Sequence, residues 1–270
     1  MPKKPLQSAQ TVQRIGAVIT GATEVYTAAL ITMQESVAAA VFEMVEAGLT
    51  REAILLELGA MDFAVLMDSL GYPAMVNELT GSYEAILARM SMFGEISESM
   101  LTGLVGIEQS SYVAMGRGMA GAWQHEMTKG VLNGLSEYEM NLALRARMNN
   151  YNHVRTEVNT MMNTFSRTVT HEQAVNASPK KKFRYEGPQD NKTRAICNEM
   201  GAAGDLTLAE VEEEYPGGFM DGGGYNCRHQ WVEVDSAEPS NKKNAENIIQ
   251  ERKNAGTYHE PLTVREQLAV

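Results

Sequence analysis

Positive charge is what this chain has least of. Its 270 residues hold 23 Lys and Arg against 34 Asp and Glu, a formal net charge of −11. Broad non-specific nucleic-acid binding needs a cationic surplus to displace counterions from phosphate, so the chain as a whole is excluded from that class. Long hydrophobic runs are missing too. No stretch of 18 apolar residues occurs, and the uncharged segment from Val25 to Gln34 is too short to span a bilayer. The opening Met-Pro-Lys-Lys-Pro-Leu leads into no apolar stretch with a small-residue cleavage site, so a secretory signal is not expected. A soluble protein made in a cytoplasm, with no need of a membrane, is the expectation. Cysteine is scarce: Cys197 and Cys227 are the two, with no Cys-x-x-Cys pair between them. What the chain does have in quantity is methionine, 18 residues, an adaptable side chain suited to irregular cores and partner-facing surfaces.

Up to about residue 178 the pattern is helical. From Val12 the apolar positions Ile15, Ile19, Ala22, Tyr26, Ala29, Met33, Val37, Ala40 and Met44 step by three and four, one face of a long helix. Gly48-Leu49-Thr50 ends it, and Thr50 caps the next helix. Further helices are predicted over roughly 74–93 and 107–132. Ser136 and Glu139 form a capping box, after which neither Pro nor Gly occurs until Pro179. Leu144, Met148, Tyr151, Val158, Met162, Phe165 and Val169 line one face of that stretch. Arg155 falls in the same series, where a guanidinium is costly unless paired. It either snorkels at the edge of the seam or reaches a carboxylate supplied by the module that follows.

At Pro179 the composition turns to Gly and turn residues, after the basic run Lys180-Lys181-Lys182-Phe183-Arg184. Thr207 and Glu210 make a second capping box. Gln230-Trp231-Val232-Glu233-Val234 alternates like a strand. The expected fold is therefore mainly α: an elongated helical body over 1–178, a small α+β Cys/His module over 179–235, and a polar tail over 236–270 with one short amphipathic helix near 244–252.

The chemistry sits in Gly187-Pro-Gln-Asp190-Asn-Lys-Thr193-Arg194-Ala-Ile-Cys197 and in Gly222-Gly-Gly-Tyr-Asn-Cys227-Arg228-His229-Gln-Trp231. Cys197, Cys227 and His229 supply two thiolates and an imidazole, with Asp190 a candidate fourth ligand, and zinc takes four such donors tetrahedrally. On spacing alone, zinc, a Cys197–Cys227 disulfide and two ordinary buried thiols all stay open. The Gly222–Gly224 run lacks the Lys-Ser/Thr of a phosphate loop and reads as a tight turn under Cys227. A second class of function is a zinc hydrolase or nuclease with Glu199 or Glu157 as base. No motif supplies that base at a diagnostic spacing, and His171-Glu172 fails as a zinc-protease helix because residue 175 is Val. An enzyme is not expected.

Taken together, the Asp190…Thr193-Arg194…Cys197 and Asn226-Cys227-Arg228-His229-x-Trp231 motifs resemble the C-terminal module of phage Mu F-type head morphogenesis proteins, the minor capsid proteins. Arg155-Thr156-Glu157 is similar to an element of that family on the preceding helix, and the resemblance spans about residues 150–234. Some relatives end the second motif in Cys-Arg-Cys and place His in the first; this chain has Cys first and His229 last. The resemblance implies a virion protein at the head interior or portal vertex, oligomeric on the particle. Its partners would be the portal and capsid proteins. On composition, Lys180–Arg184 and Lys242-Lys243 read as solvated linkers, with local contact to the phosphate of packaged DNA as the alternative. Arg155, Glu157, Arg194, Arg228 and Trp231 are then structural residues, Arg155 and Glu157 lying on the helix against which the module packs.

Overall fold

In the computed structural model, residues 8–90, 97–147, 151–234, 247, 249–251 and 253–255 are described. The tail expected over 236–270 lies almost wholly outside them, as do Lys242 and Lys243. The fold is mainly α with one small three-stranded sheet. The helices are α1 (Ser8–Glu46), α2 (Arg51–Ala60), α3 (Phe63–Ser69), α4 (Tyr72–Met90), α5 (Glu98–Asn133), α6 (Glu137–Arg147), α7 (Tyr151–Val175), α8 (Ala195–Ala203), α9 (Leu208–Glu214) and α10 (Gly218–Asp221). The strands are β1 (Lys182–Glu186), β2 (Asp205–Thr207) and β3 (Gln230–Glu233). One helical stretch, 10–46 in α1, is long and apolar enough to cross a membrane by length and composition, a test that core helices of soluble proteins also pass.

The expected caps form. Thr50 accepts from the Ala53 N–H at 3.3 Å. The Ser136 N–H donates to Glu139 at 2.8 Å while the Ser136 hydroxyl accepts from the Glu139 N–H at 3.3 Å. Thr207 and Glu210 close the same reciprocal box at the start of α9. Val12, Ile15, Ile19, Tyr26, Met33 and Val37 of α1 are buried, and so are Val158, Met162, Phe165 and Val169 of α7. The stretch after Ser136 is two helices, α6 and α7, with residues 148–150 outside the described set.

The chain divides into two compact units, one of residues 1–20, 83–101 and 159–270, the other of 21–82 and 102–158. The division expected at residue 178 differs from this one. The C-terminal two thirds of α7 belongs with the sheet because its side chains are bonded to the loops there, as detailed below.

In the unit of 21–82 and 102–158, three tyrosines join helices. The Tyr26 and Tyr72 hydroxyls lie 2.8 Å apart, and Tyr72 donates to the Tyr112 carbonyl at 2.5 Å. Burial pushes the Tyr72 hydroxyl up to about 12. Gly116 admits the Tyr72 ring, which a Cβ would meet at 2.3 Å. Arg155 also sits here, paired with Glu24 at 3.2 Å and about half exposed. The expectation that it reaches a carboxylate of the following module is thereby corrected: Arg155 stands just off the buried stripe of Val154 and Val158, where α1 offers an acid.

In the other unit the sheet runs β2-β1-β3, both pairings antiparallel, with Phe183 opposite Leu206 and Tyr185 opposite Trp231. The core on one face gathers Phe183, Tyr185, Ile196, Met200, Val211, Phe219 and Trp231. Of the run Lys180–Arg184, read as a linker or a phosphate contact, Lys182–Arg184 open the central strand, while Lys180 and Lys181 precede it and are exposed. Arg184 is 1% exposed and grips Asp205 at 2.6 and 2.9 Å, so it cannot reach DNA. Lys181 pairs with Glu233 at 2.5 Å.

Candidate metal centre

Two turns build the site, and each of the two sequence motifs folds one of them. In the first, Asp190 makes a local turn. Its carboxylate accepts from the Lys192 N–H at 2.9 Å, and Thr193 donates its hydroxyl to the Pro188 carbonyl at 2.8 Å. That turn starts α8, which carries Cys197 on its buried face, 2% exposed. In the second, glycines at φ 59° (Gly222) and φ 91° (Gly224), with Asn226 at φ 56°, wind the chain tightly enough to return Cys227 beneath α8. A Cβ on Gly223 would stand 2.3 Å from the Cys197 sulfur, and one on Gly187 2.3 Å from the His229 ring. The turn expected at Gly222–Gly224 is therefore present, and glycine is required there by contact with the cluster itself.

The motifs then lock to each other. Arg228 of the second binds both oxygens of Asp190 in the first, at 2.7 and 2.8 Å. Arg194 of the first donates to the carbonyls of Gly223, at 2.7 Å, and Tyr225. The Arg228 guanidinium holds the Asp190 carboxyl well below the usual carboxylate range. Asp190 is thus engaged by Arg228 and stands outside the donor cluster; its expected role as fourth ligand is corrected accordingly.

The cluster is Cys197, Cys227 and His229, whose ligand atoms all lie within 4.8 Å of one another. The two sulfurs are 3.6 Å apart and both cysteines are free, so the disulfide alternative, which needs a bond of about 2.05 Å, is not formed. His229 Nδ1 lies 3.9 Å from the Cys227 sulfur, and the His229 N–H donates to that sulfur at 3.4 Å. Tyr185 stacks on the imidazole at 5.4 Å and places its hydroxyl 3.2 Å from the Cys227 sulfur. A hydrogen bond from the Cys197 thiol, then His229 and Arg167, draw the Cys227 thiol well below its ordinary range against the effect of burial. That same shared proton, with burial, pushes Cys197 up. Of the two sulfurs, Cys227 is thus the one that gives up its proton more readily, and a cation bound there would displace the proton they share.

Trp231, fully buried, packs against Tyr185 at 5.1 Å and Phe219 at 6.2 Å and serves the core beneath the cluster. Glu157, like Arg155, belongs to the other unit.

Sequence reasoning overlooked Arg167. It is 1% exposed, and its guanidinium donates to the carbonyls of Met220 (2.6 Å), Cys227 (3.1 Å) and His229 (3.3 Å) and to the Thr164 hydroxyl (3.1 Å). It holds carbonyls of the second turn that Arg194 does not. The usable signal was a polar stripe, Asn163, Arg167 and Thr170, running beside the apolar face of α7 at helical spacing.

No protein-family model, no curated protein and no solved structure matches this chain.

Proposed function

We propose that this chain is a minor structural protein of a tailed-phage head, bound at the portal vertex to portal and capsid proteins and acting in head assembly, packaging or genome delivery. The observation that carries the reading is the reciprocal lock of the two motifs that resemble the head-protein module: Asp190 to Arg228, Arg194 to Gly223 and Tyr225, Cys197 to Cys227. Residues set 29 to 38 positions apart form one bonded unit, which supports treating the motif pair as a single inherited feature and not as two chance matches.

The metal of that unit, in this reading, is zinc. Two sulfurs and an imidazole nitrogen are its preferred donors, and a tetrahedral ion with Zn–S bonds of about 2.3 Å sets its sulfurs about 3.8 Å apart, close to the separation found here. Cys197, Cys227 and His229 are 2–3% exposed, which favours a structural ion over a catalytic one that must keep a position open to substrate.

The test is peptide mass spectrometry on purified particles of the source phage, quantified against the major shell protein, with zinc measured on the isolated chain. The reading expects the chain in mature particles at far below shell stoichiometry, carrying one zinc lost in Cys227→Ser. Absence from particles overturns the virion role; zinc-free wild-type protein overturns the metal.

A further inference from the structure

Two sulfurs and one imidazole nitrogen make three donors, and a structural zinc site closes with four. Cys197, Cys227 and His229 are so deeply buried that solvent is poorly placed to supply the missing one. Among the described residues no further Cys, His, Asp or Glu joins the cluster, and Asp190 is held by Arg228. The group that does stand beside the sulfurs is a phenol. Tyr185, on the central strand and fully buried, puts its hydroxyl oxygen 3.2 Å from the Cys227 sulfur and 3.9 Å from the Cys197 sulfur.

These separations fit donors drawn to one point. With metal–sulfur bonds of about 2.3 Å and metal–oxygen or metal–nitrogen bonds of about 2.0–2.1 Å, a tetrahedral site sets each sulfur about 3.5–3.6 Å from the oxygen and the nitrogen. The two sulfur-to-phenol distances bracket that value, and the Cys227 sulfur lies 3.9 Å from His229 Nδ1. The backbone is shaped to the same four atoms. A Cβ on Gly222 would stand 3.1 Å from the Tyr185 oxygen and 3.2 Å from the Cys227 sulfur, so the turn approaches both with main chain alone. Charge is provided for as well. A phenolate and two thiolates exceed a divalent ion by one negative charge, and Arg167 Nη1 lies 3.2 Å from that same Gly222 Cβ position. Burial and the two neighbouring thiols push the Tyr185 phenol up while Arg167 opposes them. A bound cation reverses that balance, as it does for any coordinating acid.

We propose that Tyr185 is the fourth ligand of the centre, its phenolate oxygen closing a tetrahedron with the sulfurs of Cys197 and Cys227 and the His229 imidazole. This inference rests on the metal reading of the cluster and is independent of the virion reading. The competing arrangement keeps Tyr185 outside the coordination sphere, its hydroxyl donating to the Cys227 sulfur, and gives the fourth position to water.

The test adds zinc to the full chain with every tyrosine carbon-13 labelled at the ring carbon that bears the oxygen, and prepares the cobalt(II) form in parallel. One of the ten tyrosine resonances is expected to move to the phenolate position on zinc binding, and to be missing from Tyr185→Phe. The wild-type cobalt form should give a tetrahedral visible spectrum that added azide leaves unchanged, because no position is open. Tyr185→Phe keeps a ring against His229 and Trp231 but lacks the oxygen. It should bind zinc about a hundredfold more weakly, and its cobalt spectrum should respond to azide. A zinc-loaded wild type whose tyrosines all stay at the phenol position, or whose cobalt spectrum responds to azide, overturns the proposal and leaves the fourth position to solvent; both readouts stand even if the variant misfolds. A folded Tyr185→Phe with undiminished affinity and an azide-insensitive spectrum overturns it too. Wild type that takes up neither zinc nor cobalt overturns the metal reading itself, and this proposal with it.

Discussion

Asp190 shows how a side chain can belong to a motif that carries candidate metal ligands without joining their cluster. Its carboxylate is the hinge between two turns, and its role is acid-sensitive in a defined direction. The carboxyl titrates below its ordinary value when folded, so the pairing contributes fully above the unfolded value of about 3.9 and is lost as pH falls through the folded value. Because Asp190 is about 39% exposed, solvent screens the pair and the effect is modest. Asp190→Asn preserves the local turn but not the charge. The difference in melting temperature between the variant and wild type should hold from pH 7 down to about 4 and shrink below that; a difference unchanged between pH 5 and pH 2 would show that the turn, not the charge, is what matters. At this scale the sequence disclosed the identity of the cluster, because sulfur and imidazole are chemically distinctive. It did not disclose which of the neighbouring polar residues were ligands. Asp190 and Arg228 are 38 positions apart, and nothing local marks them as partners.

Among elements, α7 does the most to position the centre, and it does so through Arg167. Replacing Arg167 by Met leaves the carbonyls of Met220, Cys227 and His229 buried without that donor, a cost on the order of 3 kcal/mol. Thr207→Ala, which removes a cap on the short exposed end of α9, should cost only about 1 kcal/mol. Denaturant titration of the two variants separates them; equal midpoints would mean that the guanidinium is replaced by water without penalty. Helices were legible because three- and four-residue spacing repeats over many turns, as from Val12 to Val37, and because Thr50, Ser136 and Thr207 announce their caps. Of the strands, β3 was legible from the alternation of Gln230–Val234, but β1 and β2 were not. Lys182–Glu186 carries three charges in five residues, and Asp205, set opposite Arg184 by the sheet register, makes burial of that guanidinium tolerable. A three-residue β2 offers no period to read.

At the scale of the whole molecule, two units predict two responses to loss of metal. In the zinc reading, chelation should release amide protection across 182–233 and in 159–175, while 102–133 in the other unit keeps its exchange rates. Uniform loss in both, or none in either, would contradict a local staple. The helical body and the small module were each legible from composition. Their division was not, since it depends on long-range bonds from α7 to the 220–229 turn that spacing cannot encode.

One consequence concerns time. The strand order β2-β1-β3 seats the last strand beside the first, and the same unit takes in residues 8–20 of α1. During synthesis the unit that holds the start of α1 therefore stays incomplete until more than two hundred further residues have emerged and β3 has joined the sheet. A ribosome that stalls before Gln230 leaves both ends of that unit incomplete at once, and such nascent chains should be the ones that chaperones hold.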